Sequence, residues 1–92
     1  MSETRAHLVI SGRVQGVLFR DTLRRKAKRH DVVGWVRNIS DGKVEAVLEG
    51  DKENVTQVIV WARKGPMFAN VTDVTVEWQE YQGTFQDFRM HY

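Results

Sequence analysis

Cysteine is missing from all 92 residues of this chain. No disulfide can staple the fold and no thiolate can act as nucleophile or metal ligand, a composition that suits a reducing compartment. Long apolar runs are missing as well. Nothing approaches the roughly 18 apolar residues of a membrane span, and the opening stretch MSETRAHLVIS lacks the extended apolar region of a signal peptide. A soluble, cytoplasmic protein with no membrane partner is therefore expected. Metal-binding patterns are also absent: His7, His30 and His91 are far apart in sequence, and there is no HExxH, no carboxylate cluster and no cysteine set. Neither a metal nor another cofactor is expected, and the three histidines read as surface or strand positions. Ser11 has no identifiable triad partner.

What is present describes an ordered domain. Hydrophobic residues make up 41% of the chain and charged residues 28%, a balance of globular rather than disordered sequences. At 92 residues there is room for one core, so residues 1–92 are expected to form a single domain, with no linker or repeat to divide it. The net charge of +2 favours anionic ligands weakly and does not by itself imply a nucleic-acid partner. Its distribution is uneven. Arg20, Arg24, Arg25, Lys26, Lys28 and Arg29 crowd one segment against the single acid Asp21, which reads as the solvated face of a helix.

Periodicity supplies the element order. Leu8 and Ile10 alternate with Val9 in a strand over His7 to Ser11, and Phe19, Leu23 and Ala27 recur every fourth residue, which predicts a helix through Asp21 to His30. Val33 to Ile39 and Lys43 to Glu49 read as strands joined by a turn at Ser40, Asp41 and Gly42, an antiparallel hairpin with Asn38 beside its turn. Trp35 reads as a sheet-face or core aromatic. Asp51 can cap a second helix whose apolar stripe is Val55, Val58, Ile59 and Ala62, with Gly65 and the only proline, Pro66, as its stop. Its β-branched residues weaken helix preference, so burial has to hold it. A loop over Met67 to Asn70 leads to a strand over Val71 to Trp78, and a turn at Gln82 and Gly83 precedes a last strand over Phe85 to Tyr92. This βαββαβ order with a terminal strand predicts the α+β class: a ferredoxin-like two-layer sandwich, an antiparallel sheet covered on one face by two helices.

The stretch GRVQGVLFR, residues 12–20, links the first strand to the first helix. Gly12 and Gly16 allow backbone angles that let successive N–H groups turn toward one small anion, at a helix start whose own unpaired N–H groups face the same way. Arg20 adds a planar fork of donors suited to phosphate oxygens. The same residues also describe an ordinary tight connection with Arg20 solvated. No Gly-Lys-Ser/Thr follows and GxGxxG is absent, so the stretch is neither a Walker loop nor a dinucleotide fingerprint.

Taken whole, GRVQGVLFR followed by GWVRN (34–38), DG (41–42), VEAVLEG (44–50) and GP (65–66) closely resembles the acylphosphatase family over nearly all of the chain. The resemblance implies that the loop from Arg13 to Phe19, made of Arg13, Val14, Gln15, Gly16, Val17, Leu18 and Phe19, wraps the phosphate of a small acyl phosphate together with Arg20. It implies that Asn38 positions the attacking water, that the products are a carboxylate and inorganic phosphate, and that no metal takes part. Inorganic phosphate or a similar anion is then expected as product or inhibitor, and a monomer is expected. The chemistry suits a bare site: a carboxylate is already a good leaving group, and an asparagine amide can orient water although it is not a base. Two other classes share parts of this pattern. An RNA-binding domain of similar layering would show exposed aromatic stacking platforms, and this chain lacks the aromatic-rich motifs for them. A noncatalytic anion-binding module would share the loop without turnover.

Overall fold

A computed structural model of the chain describes residues 2–92. Five strands and two α-helices follow in the order β1 (Glu3–Arg13), α1 (Phe19–Arg29), β2 (Val33–Asn38), β3 (Val44–Asp51), α2 (Lys52–Lys64), β4 (Asn70–Gln79) and β5 (Phe88–His91), with a short 3-10 turn at Ser40–Gly42 between β2 and β3. The strands form one sheet in the order β4-β1-β3-β2-β5. Each helix buries its apolar stripe on one face of that sheet: Phe19, Leu23 and Ala27 from α1, and Val55, Val58, Ile59 and Ala62 from α2. The facing sheet residues Ala6, Leu8, Ile10, Val36, Val44, Ala46 and Leu48 are fully buried, as alternation along paired strands requires. The expected ferredoxin-like sandwich is present. Among the described residues no helix is long and apolar enough to cross a membrane.

Local signals hold the helices as read. The Asp51 side chain accepts from the Glu53 backbone N–H at the start of α2, and Gly65 ends it at a φ of 75°. Asp21 lies in the first turn of α1 and Lys26, Lys28 and Arg29 in its last, each complementing the helix dipole. Trp61, off the apolar stripe, still meets Phe19 with ring centroids 5.4 Å apart.

Two features differ from the expectation of a wholly antiparallel sheet with a turn before the last strand. β1, β2, β3 and β4 pair antiparallel, whereas β5 joins β2 in parallel, Gly34 opposite Phe88 and Arg37 opposite His91. β4 and β5 lie at opposite edges, so residues 80–87 must cross the end of the whole sheet instead of closing a hairpin. That crossing is tied down by Glu49 of β3, which points away from the helices. Its carboxylate accepts from the backbone N–H groups of Gln82 at 2.9 Å and Gly83 at 3.2 Å, and from Arg5 Nη1 at 3.1 Å. The crossing consumes the first residues expected for the last strand, which begins at Phe88 rather than Phe85.

Candidate active site

The end of β1 and the start of α1 are joined by a loop whose shape depends on two glycines in different ways. Gly12, at a φ of 117°, lies in β1 where the pairing with β4 shifts register, and a Cβ there would stand 2.1 Å from the Asn70 carbonyl oxygen. Its freedom serves the close approach of β4, not the loop as the sequence suggested. Gly16, at 75°, lies in the loop with open space around it, so only its backbone angle demands glycine. Leu18 follows at 64°, and Val17 between them has an ordinary negative φ. Alternation of handedness between successive residues is a backbone pattern able to turn N–H groups toward one small anion.

The first turn of α1 opens directly onto this loop. Leu18 occupies the N-cap position without a side chain able to cap, so the first N–H groups of the helix have no competing side-chain acceptor there. Thr22 fixes the turn from behind: its hydroxyl and its backbone N–H donate to the Leu18 carbonyl at 2.8 Å and 3.1 Å.

Arg20 is the second residue of α1, and Asn38 is the last residue of β2, opposite Val44. Both line one cavity of about 280 Å³, together with Val14, Gly16 and Leu18 of the loop, Phe19 and Asp21 of α1, and Met90. That volume lies just below the range of drug-sized ligand sites, which starts at about 300 Å³, and suits a small anion. Arg20 Nη1 donates to the His91 carbonyl at 3.1 Å, and its guanidinium carbon stands 4.7 Å from the centre of the Tyr92 ring. The bond to His91 uses one donor of five. Asp21 would oppose an incoming anion, but its oxygens are held by Arg24 Nη2 at 3.1 Å and Arg25 Nη2 at 2.7 Å. The balance at the helix start is positive.

Of the residues expected around a phosphate, Val14, Gly16, Leu18, Phe19, Arg20 and Asn38 meet at the cavity. Arg13, Gln15 and Val17 do not line it. Arg13 ends β1 exposed and paired with Asn70, Val17 packs against the core, and the Gln15 side chain reaches to the β2–β3 hairpin. Met90, His91 and Tyr92 are not among the site residues that the sequence points to; for Met90 and Tyr92 the one signal is a strand face shared with Phe88. The histidines are dispersed: His7 pairs with Glu45, His30 caps the end of α1, and His91 stacks on Trp35 with centroids 5.6 Å apart. Among the described residues no three His, Cys, Asp or Glu side chains gather as metal ligands.

The acylphosphatase family model matches residues 6–90. An acylphosphatase from Pyrobaculum arsenaticum is 58% identical over 91 residues, which cover 98% of this chain and 96% of that protein. One from Pelotomaculum thermopropionicum is 50% identical over 90 residues, covering 98% of each. The crystal structure of acylphosphatase from Bacillus subtilis superposes with a TM-score of 0.93 at 30% identity, covering 97% of this chain and 99% of that one.

Proposed function

Because this chain belongs to the acylphosphatase family and hydrolyses the carboxylic-phosphoric anhydride of acyl phosphates, we propose that Arg20 and the loop from Arg13 to Phe19 hold the phosphate while Asn38 orients the attacking water. The loop contributes backbone N–H groups and Arg20 a planar cation, so charge developing on the phosphoryl oxygens meets donors already in place. Water attacks phosphorus and gives up a proton to a phosphoryl oxygen or to solvent, the bond from phosphorus to the acyl oxygen breaks, and the carboxylate departs with that oxygen and the bonding pair. The departing group needs no strong acid. Asn38 accepts from or donates to the water without abstracting a proton, which limits its orientation at little cost in flexibility. With cationic charge supplied by Arg20 and the helix start, the reaction runs without a metal. Inorganic phosphate, as product, occupies the same concavity and inhibits.

The observation that carries this reading is that Arg20 from α1 and Asn38 from β2, eighteen positions apart in sequence, line the same small cavity. Purified protein treated with a chelator is assayed with benzoyl phosphate, following loss of substrate against the uncatalysed background. Full turnover after chelation and competitive inhibition by inorganic phosphate are expected. Turnover that disappears with chelation and returns with metal defeats the metal-free mechanism, and the absence of any protein-dependent turnover defeats the function itself.

A further inference from the structure

Gln15 lies between two residues that line the cavity, Val14 and Gly16, yet its own side chain leaves the site. Its Nε2 donates to the carbonyl of Ile39 at 2.9 Å and to that of Lys43 at 2.8 Å. These two carbonyls belong to the two stems of the β2–β3 hairpin, on either side of the Ser40–Gly42 turn. The stems are themselves joined there by the Ile39 N–H donating to the Lys43 carbonyl at 2.9 Å. One half-buried side chain of the anion loop thus grips the hairpin next to Asn38.

Asn38 needs such a grip. The parallel pairing of β2 with β5 ends at Arg37 and His91, so Asn38 keeps a strand partner only on the β3 side, opposite Val44. Beyond it the chain turns through Asp41, a non-glycine residue at a φ of 66°. The bridge ties the loop that holds the anion directly to the strand end that carries the amide. Both N–H donors of the Gln15 amide are spent on the bridge, and no other side chain of that length offers two donors from one neutral nitrogen.

We propose that Gln15 is a positioning residue: its amide sets the distance between the phosphate held by the loop and the water held by Asn38. The proposal rests on the reading of Asn38 as the residue that orients water. It predicts an effect on turnover that passes through Asn38 and leaves the anion site itself intact, since the loop N–H groups and Arg20 remain.

The test is a double-mutant cycle of Gln15→Met, similar in length but without donors, and Asn38→Ala, using benzoyl phosphate turnover, inhibition by inorganic phosphate, and thermal melts. Misplacement of reacting groups by about 1 Å costs up to about a hundredfold, so Gln15→Met is expected to lower kcat about ten- to a hundredfold. Its phosphate inhibition constant should stay within about twofold of the parent. In the Asn38→Ala background the same change should lower kcat by no more than about twofold, because coupled residues are not additive. Equal losses in both backgrounds, or phosphate inhibition that weakens in step with kcat, overturns the proposal. If Asn38→Ala turns over like the parent, the reading of Asn38 falls and the proposal with it, while activity in the parent still upholds the hydrolase. Should Gln15→Met not fold, Gln15→Glu replaces it. Its protonated acid regains one donor, so its kcat relative to the parent should rise as the pH is lowered, and a flat ratio overturns the proposal.

Discussion

Arg20, the proposed phosphate-holding residue, lies over the last residue of the chain, its guanidinium carbon 4.7 Å from the centre of the Tyr92 ring. The two are 72 positions apart in sequence, and they meet because β5 runs parallel to β2 and delivers its end to the start of α1. A cation over an exposed ring is held by about 0.5 to 1 kcal/mol. Tyr92→Ala is therefore expected to lower kcat/KM for benzoyl phosphate about two- to fivefold, with Tyr92→Phe close to the parent. An alanine variant with unchanged kcat/KM would mean that the ring does not order the arginine in solution.

Replacing Arg20 itself should be far more costly. Loss of a charge-assisted donor to developing phosphoryl charge removes on the order of 2 to 4 kcal/mol of transition-state stabilisation. Arg20→Gln should show this in kcat/KM while melting like the parent, because Arg20 sits in the first turn of α1 outside the buried stripe. Lysine supplies charge without the planar fork, so Arg20→Lys should recover only part of the loss. Near-parental turnover in either folded variant places the essential cation elsewhere.

At the other end of the sheet, stability and catalysis should separate. Glu49 is the one fully buried charged residue among those described, and Arg5 is its cation at 3.1 Å. Removing one member of a buried pair costs about 3 to 5 kcal/mol, since the other is left uncompensated. Arg5→Ala should lower the urea midpoint accordingly, while kcat of the folded fraction stays unchanged because Arg5 lies near the start of β1 and the site at its end. A parental midpoint would show that the N–H groups of Gln82 and Gly83 alone satisfy Glu49.

Acid should weaken the open sheet face through Glu45. Burial pushes its pKa up, but hydrogen bonds from His7 and Arg37, each 2.7 Å long, and their charges outweigh burial and hold it below the ordinary 4.5. A carboxylate whose folded pKa is depressed adds stability that is fully present above its unfolded pKa and is lost as the pH falls through the folded value. The melting temperature of the parent should exceed that of Glu45→Gln near neutrality, and the gap should close as the pH drops below 4.5. A gap that stays constant down to acid pH would show that ionisation of Glu45 does not contribute.

Much of this molecule is legible without coordinates because its signals are local. Spacing of Phe19, Leu23 and Ala27, and of Val55, Val58, Ile59 and Ala62, marks the two buried helix stripes, and all seven residues are buried. The SDG turn fixes the β2–β3 hairpin, since a short connection leaves two strands no other partner, and with it the placement of Asn38 at the end of a strand. The family blocks at residues 12–20 and 34–38 were readable for the same reason, as strings whose residues are neighbours in the chain.

Other features were decided only by tertiary structure, because they depend on which distant segments become neighbours. Alternation in Phe88, Met90 and Tyr92 says that they share a face, but it does not say which edge of the sheet they join or in which direction. Parallel addition at the β2 edge is what brings Met90 to the cavity and His91 and Tyr92 onto Arg20. The same choice sends residues 80–87 across the sheet and buries Glu49, a residue that alternation alone leaves on a solvated face. Gly12 read as a loop residue because its neighbour in space, Asn70, is 58 positions away. Gln15 sits in a string that marks an anion loop, while its two acceptors are backbone carbonyls, groups that every residue carries and no sequence pattern distinguishes. What the sequence determines by itself is periodicity, turns and motif, which act over a few residues; what the fold decides is strand partnership and the reach of single side chains, which act across the whole sheet.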